Sequence, residues 1–296
     1  MQSSSLRGIA AMFVAVATFS MMDVAMKHLV ATYPSMQVTF LRAAASLPFL
    51  LGATALFGRW RNLVPNRWAL HIVRGFLSVA TLWFFVYSVS LLSLADTYAI
   101  FMSAPLLITA LSVPMLGEHV GWRRWVAVFV GLAGVIIVLK PSGAGLITIG
   151  GLAALVSAIG YALSAITIRI LSRTDSGSAT VFWALLLVAL ISGAFSATRW
   201  VPLLWEHWPW IFGLGLTGAI GQYFITHAFR LAAPQVIAPL EYTALMWGMT
   251  FDWLLWLTAP SMRMLLGASI IVGSGLYVIY RERATAEPAV LVKGAS

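Results

Sequence analysis

The chain of 296 residues is 61% hydrophobic and 9% charged, with a mean hydropathy of +0.93. A soluble domain carries about 25% charged residues, so this balance excludes the soluble classes and predicts an all-α polytopic membrane protein. The chain has no cysteine, hence no disulfide and no thiolate metal site.

Apolar runs of about 17–25 residues are span candidates. Ten are predicted: 7–30, 35–57, 67–92, 95–115, 123–139, 147–170, 177–197, 208–230, 234–258 and 263–281. The first run follows Arg7, is too long for a signal-peptide core, and is expected to be the first span. Turn and charge clusters separate the runs, and no linker is long enough to hold a soluble domain. A short mixed tail, 284–296, follows.

Lys and Arg near span ends set the orientation. With the N-terminus inside, the inner side carries Arg7, Arg59, Arg61, Arg67, Arg74, Arg123, Arg124, Arg169, Arg173, Arg230, Arg281, Arg283 and Lys293. The outer side carries Lys27, Lys140, Arg199 and Arg263, and Arg42 lies within the second span. Both termini are therefore expected in the cytoplasm. The same distribution explains the net charge of +9 without nucleic acid.

The chain also echoes itself at an offset near ~140 residues. Gly8-Ile-Ala-Ala returns as Gly151-Leu-Ala-Ala, and Lys27 as Arg169. The stretch Leu91–Leu107 returns as Ala228–Met246, and the fifth run resembles the tenth. Two repeats are predicted, 1–141 and 142–283. An odd number of spans in each inverts the second relative to the first. Inverted repeats are typical of secondary transporters, with the site between them near mid-membrane.

Several constellations invite a functional reading. In span 1, Ser20, Asp23 and Lys27 share a face. Asp23 and Lys27 either line the route of a zwitterionic solute or form a local structural pair with Lys27 snorkelling. Arg42 in span 2 is read as a helix tie or a vestibule residue, with direct substrate contact as the alternative. Span 3 offers Trp83 and Tyr87, and a polar stripe of Ser78, Thr81 and Ser88. Span 4 offers Tyr98, Met102 and Ser103 before Pro105, which permits a bend. Span 6 offers Ser157, Tyr161 and Ser164 on one face. Together these predict an aromatic-walled pocket with hydroxyl handles; each aromatic taken alone is as well explained by helix packing.

Span 8 carries Tyr223, Thr226, His227 and Arg230 in a stripe. Span 9 carries Glu241, Tyr242 and, on the face of Glu241, Leu245, Gly248 and Asp252. His227 and Glu241 form either a proton relay or ammonium site, or a neutral hydrogen-bonded pair. Asp252 lies nearer the outer end and is expected to be solvated. Small-residue faces at Ala127/Gly131 and Ser269/Gly273 serve a dimer or packing within each half. The latter favours a monomer over a homodimer. No phosphate-binding GxxxxGK[ST] loop, metal cluster or supported nucleophile is present in the sequence. No cofactor is expected, and the rival class of a membrane enzyme has no reactive constellation behind it.

Over residues 7–283 the chain resembles the drug/metabolite transporter superfamily, in its EamA-type ten-span branch. The resemblance is carried by Ser20-x-x-Asp23-x-x-x-Lys27, Phe40-Leu41-Arg42, Pro105, Leu116-Gly117-Glu118 and Gly131-x-x-Gly134. The second half adds Gly221-Gln222-Tyr223, Ala228-Phe229-Arg230-Leu231-Ala232, Ala238-Pro239-x-Glu241-Tyr242 and Gly273-Ser274-Gly275-Leu276-Tyr277. Thr258 stands where the second half often repeats the acid of the Gly-Glu turn, so Glu118 would carry that role alone. The resemblance implies two inverted five-helix repeats around a central cavity in the bacterial inner membrane. It implies a carrier working by alternating access on a small-molecule substrate, and the aromatic supply points to export of aromatic or hydrophobic amino acids. Uptake of S-adenosylmethionine, a nucleoside or a vitamin-like metabolite remains an alternative, as does a channel-like facilitator.

Overall fold

The computed structural model describes residues 2–56, 60–117, 119–139, 148–231 and 238–286. Expectations on Glu118, on the junction before Ala238 and on the tail beyond 286 fall outside those residues. Among the described residues the protein is entirely helical: α1 (Gln2–Val30), α2 (Ser35–Leu56), α3 (Trp68–Leu91), α4 (Leu94–Phe101), α5 (Ala104–Leu116) and α6 (Trp122–Leu139). There follow α7 (Ile149–Leu171), α8 (Gly177–Ser196), α9 (Trp208–Leu231), α10 (Ala244–Trp256) and α11 (Met262–Ala286). Short 3₁₀ turns punctuate the chain, the longest being Ala238–Thr243 at the head of α10.

Eight described stretches are long and apolar enough to cross a membrane by length and composition, with α4 and α5 together making one of them. The expected spans 208–230 and 234–258 are not among these eight. The first lies on α9, whose apolar run is diluted by Gln222, Tyr223 and His227. The second is broken: Glu241 and Tyr242 sit in the 3₁₀ turn and α10 has only 13 residues. Pro239 has no N–H to give a regular α-turn there. Glu241 therefore does not share a continuous helix with Asp252, as periodicity had suggested.

Local chemistry sets the helix ends. Ser93 caps α4 by accepting from Asp96 N at 3.0 Å, and its hydroxyl donates to the Asp96 carboxylate. Thr148 caps α7 and Ser176 caps α8 in the same way. Gly117 closes α5 at φ 69°, a left-handed position that glycine adopts freely. Leu257 takes the matching position after α10 at φ 52° without that freedom.

The helices pair α1 with α9, α3 with α7 and α8, α2 with α8 and α9, α4 with α10, and α6 with α11. This pairing is unchanged when α1, α2, α3, α4/α5 and α6 are exchanged for α7, α8, α9, α10 and α11. Of the small-residue faces, Gly131 packs on Leu106 of its own half and on Ser274 of the other, while Gly273 has open space at its Cβ. The close approach of α6 to α11 falls at other glycines: a Cβ on Gly134 would lie 3.0 Å from the Gly267 carbonyl oxygen, and one on Gly267 2.8 Å from that of Gly134. The largest core cluster, including Met26, Leu29, Phe85, Tyr98 and Leu245, joins α1, α3, α4 and α10.

One end of the bundle gathers the arginines at the starts of α3 and α6 and the end of α7; it is the basic end. At the opposite end, hydrogen bonds tie the α1–α2 turn and the start of α2 to the segment between α8 and α9. Tyr33 and the His207 ring are hydrogen-bonded at 2.8 Å, and the Tyr33 hydroxyl accepts from Leu204 N. Gln37 exchanges two bonds with the backbone of Val201.

Candidate functional site

A chamber of about 460 Å³ lies inside the bundle. Met12, Val16, Phe19, Ser20 and Asp23 supply its wall from one face of α1, at helical spacing. From Asp23, its deepest α1 residue, to Met12 towards the basic end is about 16 Å at the helical rise. A second lobe of about 430 Å³ lies between α2, α8 and α9 and shares Phe19, Met22, Arg42, Val181, Leu185 and Gln222 with the first.

The break between α4 and α5 shapes the deep end. Pro105 has no N–H, and Ser103 turns its hydroxyl back to the Ile100 carbonyl at 2.7 Å. The break exposes Tyr98, Phe101 and Met102 to the chamber. Phe85 stacks on Tyr98 at 6.1 Å between centroids, and Phe101 tilts against Tyr161 at 5.3 Å. Tyr161 and Ser164 line the chamber from α7. Ser157 of the same expected face does not: it donates to the Thr81 carbonyl at 2.8 Å and ties α7 to α3. Gly160 allows that approach, since a Cβ there would meet the Thr81 hydroxyl at 2.6 Å.

Four charged side chains face the chamber: Asp23, Arg42, Arg74 and Glu241. Asp23 accepts from the Tyr98 hydroxyl at 2.5 Å. Arg74 donates to the Thr180 carbonyl, while its buried Nε has no partner. Arg42 and Glu241 differ from these. Arg42 lies within electrostatic reach of Asp23, yet among the described residues neither its guanidinium nor the Glu241 carboxylate makes a hydrogen bond or ion pair. The chamber thus presents, on an aromatic wall, one cation that faces Asp23 without bonding it and one carboxylate without a hydrogen bond or ion pair among the described residues.

The structure separates other residues expected to meet. Lys27 does not pair with Asp23 or line the chamber. It lies about 6 Å further along α1 at the helical rise, and its Nζ bonds Asp252 Oδ1 at 2.8 Å. Asp252 is not solvated: it is 1% exposed and also accepts from Leu94 N at 3.1 Å and Ala95 N at 2.7 Å. Lys27 further lies over the Trp256 ring at 4.4 Å. The pair therefore seals the chamber's far end to the head of α4. Trp83, tilted against Phe84, and Tyr87 line neither lobe. Tyr242 is buried with its hydroxyl unpartnered, packed where Gly275 leaves room, so it also lies outside both lobes. His227 and Tyr223 stack at 5.9 Å and line the second lobe, not the chamber that holds Glu241.

Sequence reasoning left Arg42 as a secondary candidate and did not assign Arg74, Gln222 or the phenylalanines to the wall. For Phe19 a signal was present: it continues the face of Ser20 and Asp23. Phe85 and Phe101 carry none, because apolar residues abound on every face.

The sequence profile of the EamA-like transporter family matches residues 6–140 and again 148–281. The S-adenosylmethionine uptake transporter of Rickettsia bellii (strain RML369-C) is 28% identical over 277 residues, covering 93% of this chain and 94% of its own. The pseudopaline exporter CntI of Pseudomonas aeruginosa (strain UCBPP-PA14) is 25% identical, covering 86% and 89%. The riboflavin transporter of Vibrio cholerae serotype O1 is 28% identical, covering 84% of each. One solved crystal structure superposes with a TM-score of 0.64 over 97% of this chain and 99% of its own, at 20% identity, which bears on the fold alone.

Proposed function

This chain belongs to the EamA-like transporter family, and we propose that it carries zwitterionic metabolites with an apolar or aromatic body across the bacterial inner membrane by alternating access. The observation behind this is the pair of opposite charges, Arg42 and Glu241, that face one aromatic-walled chamber without a hydrogen bond or close ion pair among the described residues. A charge left without a partner at membrane depth is costly and is kept where a ligand or water completes it. A carboxylate on Arg42, an ammonium on Glu241 and a side chain on Tyr98, Phe101 and Tyr161 would together complete the site. This is the chemistry of a hydrophobic or aromatic amino acid, and export is our preferred direction.

The topology that goes with it has ten spans, both termini in the cytoplasm, and inverted repeats at 1–141 and 142–283. The helix pairing supports this through its invariance under exchange of the halves. The chamber then faces the cytoplasm, where an exporter loads, and Lys27 with Asp252 closes the periplasmic side. Uptake of S-adenosylmethionine is the second reading, favoured by the near full-length match to the Rickettsia bellii transporter.

Counterflow in proteoliposomes tests the substrate class. Phenylalanine and tryptophan should exchange, while 3-phenylpropionate and phenethylamine, each missing one charge, should exchange poorly. Exchange of S-adenosylmethionine without either amino acid would favour the second reading. Equal exchange of both single-charge analogues and the zwitterion would overturn the two-charge site.

A further inference from the structure

The second lobe differs from the chamber in charge. Among the described residues its polar lining is Arg42, Ser46, Ser178, Gln222, Tyr223, Thr226 and His227, with no carboxylate. The carboxylates Asp23 and Glu241 line the chamber only. The two spaces meet at Arg42 and Gln222, where glycines let the helices close in. A Cβ on Gly218 would lie 3.2 Å from Met22 Sδ and 3.3 Å from Ser46 Oγ, and one on Gly221 2.8 Å from the Phe19 ring. Phe49, Leu50, Ala53, Val181 and Leu185 give the lobe an apolar side. The stacked Tyr223 and His227 stand at its mouth, Tyr223 being 62% exposed.

We propose that this lobe is a second, anion-selecting subsite, which takes the carboxylate end of an amphipathic solute on Arg42 before the whole zwitterion seats in the chamber. This rests on the proposed carrier function and adds an order of events to it. An incoming carboxylate meets Arg42 with no acid lining the lobe among the described residues, Asp23 acting on Arg42 only from the chamber side. Only beyond the doorway does the ammonium meet Glu241. Arg42 serves both spaces and has no ion pair to break first. A solute with an ammonium alone finds no counter-charge in the lobe and is disfavoured at entry.

The absence of native cysteine makes the test direct. Ser46→Cys places a thiol in the lobe alone, and Ser164→Cys one in the chamber alone. Each full-length variant, in phosphatidylcholine liposomes, is treated with a sulfonate-bearing and a trimethylammonium-bearing methanethiosulfonate of equal length. Rates are normalised to a free thiol. Ser46→Cys should favour the anionic reagent roughly tenfold, as one charge at short range in a partly dry site would give. Ser164→Cys should show little preference, because Asp23 and Glu241 offset Arg42 and Arg74 in the chamber. Adding Arg42→Gln should bring the Ser46→Cys ratio near unity, and adding Arg42→Lys should restore it, which separates loss of charge from misfolding. Soluble 3-phenylpropionate should protect Ser46→Cys more than Ser164→Cys.

No anion preference at Ser46→Cys, or one that survives Arg42→Gln, overturns the proposal. So does protection by phosphatidylglycerol in the vesicle without protection by 3-phenylpropionate, which would assign the lobe to a lipid headgroup. Labelling needs no transport. A protein that exchanges zwitterions but shows no charge sorting sinks this proposal alone, and one that sorts charge but exchanges none sinks the carrier function instead.

Discussion

Asp252→Asn removes the charge at the far-end seal and keeps the shape. The Asp252 carboxylate receives three donors, Lys27 Nζ, Leu94 N and Ala95 N, between 2.7 and 3.1 Å. An asparagine offers one oxygen to these three and turns an N–H₂ group towards the rest. At least one buried donor then goes unsatisfied, at about 1–3 kcal/mol. Breaking a buried ion pair from one side costs about 3–5 kcal/mol in all. Lys27 keeps its contact with Trp256 and some exposure, its side chain being 13% accessible, which favours the lower part of that range. A loss of about 3 kcal/mol is expected, or roughly 6–12 °C in the thermal midpoint of the detergent-solubilised protein. Lys27→Met should also destabilise. The double variant should fall short of the summed losses by about 1–2 kcal/mol, because the two share one interaction. A midpoint for Asp252→Asn within about 1 °C of the parent, against that expected shift, would refute the buried seal, as would strict additivity.

Three further outcomes follow from single positions. Leu257→Gly should raise stability by about 0.5–1 kcal/mol, because Leu257 holds φ 52° while 85% exposed, so relief of strain is not offset by lost packing; a lower thermal midpoint would contradict this. Gly215→Ala should destabilise by about 1–3 kcal/mol, since its methyl would overlap the Ala45 carbonyl oxygen and the Phe49 ring. Gly213→Ala, with open space at its Cβ, should be tolerated, and equal effects at the two positions would show that α9 does not crowd α2. Asp175 sits between α7 and α8. Burial alone would raise its pKa, but bonds from Thr174, Asn66 N and His71 bring it to about 2. Asp175→Asn should therefore destabilise fully above about pH 4, the ordinary carboxylate range. The gap between variant and parent should close as pH falls towards 2, and a gap independent of pH would contradict those bonds.

The sequence revealed most where polarity contrasts with its surroundings. Ser20 and Asp23 stand out on α1, and the helical period places them on one face that does line the chamber. Tyr98, Met102 and the Pro105 break were legible for the same reason. Trp83 and Tyr87 were not, because lipid-facing and core-facing sides are both apolar and periodicity cannot say which is inward. The partner of Lys27 was hidden by separation: Asp252 lies 225 residues away, and the backbone donors of α4 that complete the seal have no signature in side-chain type. Asp252 read as solvated because an acid near a helix end usually is. His227 and Glu241 read as neighbours on consecutive spans, but they line different lobes.

The two-charge chamber is tested most directly by binding of a zwitterion and of its carboxylate-only analogue to the parent protein and to Glu241→Gln. Tryptophan and indole-3-propionate, titrated calorimetrically, differ by the ammonium alone. If Glu241 receives that ammonium, Glu241→Gln should weaken tryptophan roughly tenfold to hundredfold, the range for a hydrogen bond to a charged group, and leave indole-3-propionate unchanged. Equal weakening of both ligands, or of neither, would contradict the placement of Glu241 at the ammonium and with it the zwitterion-binding chamber.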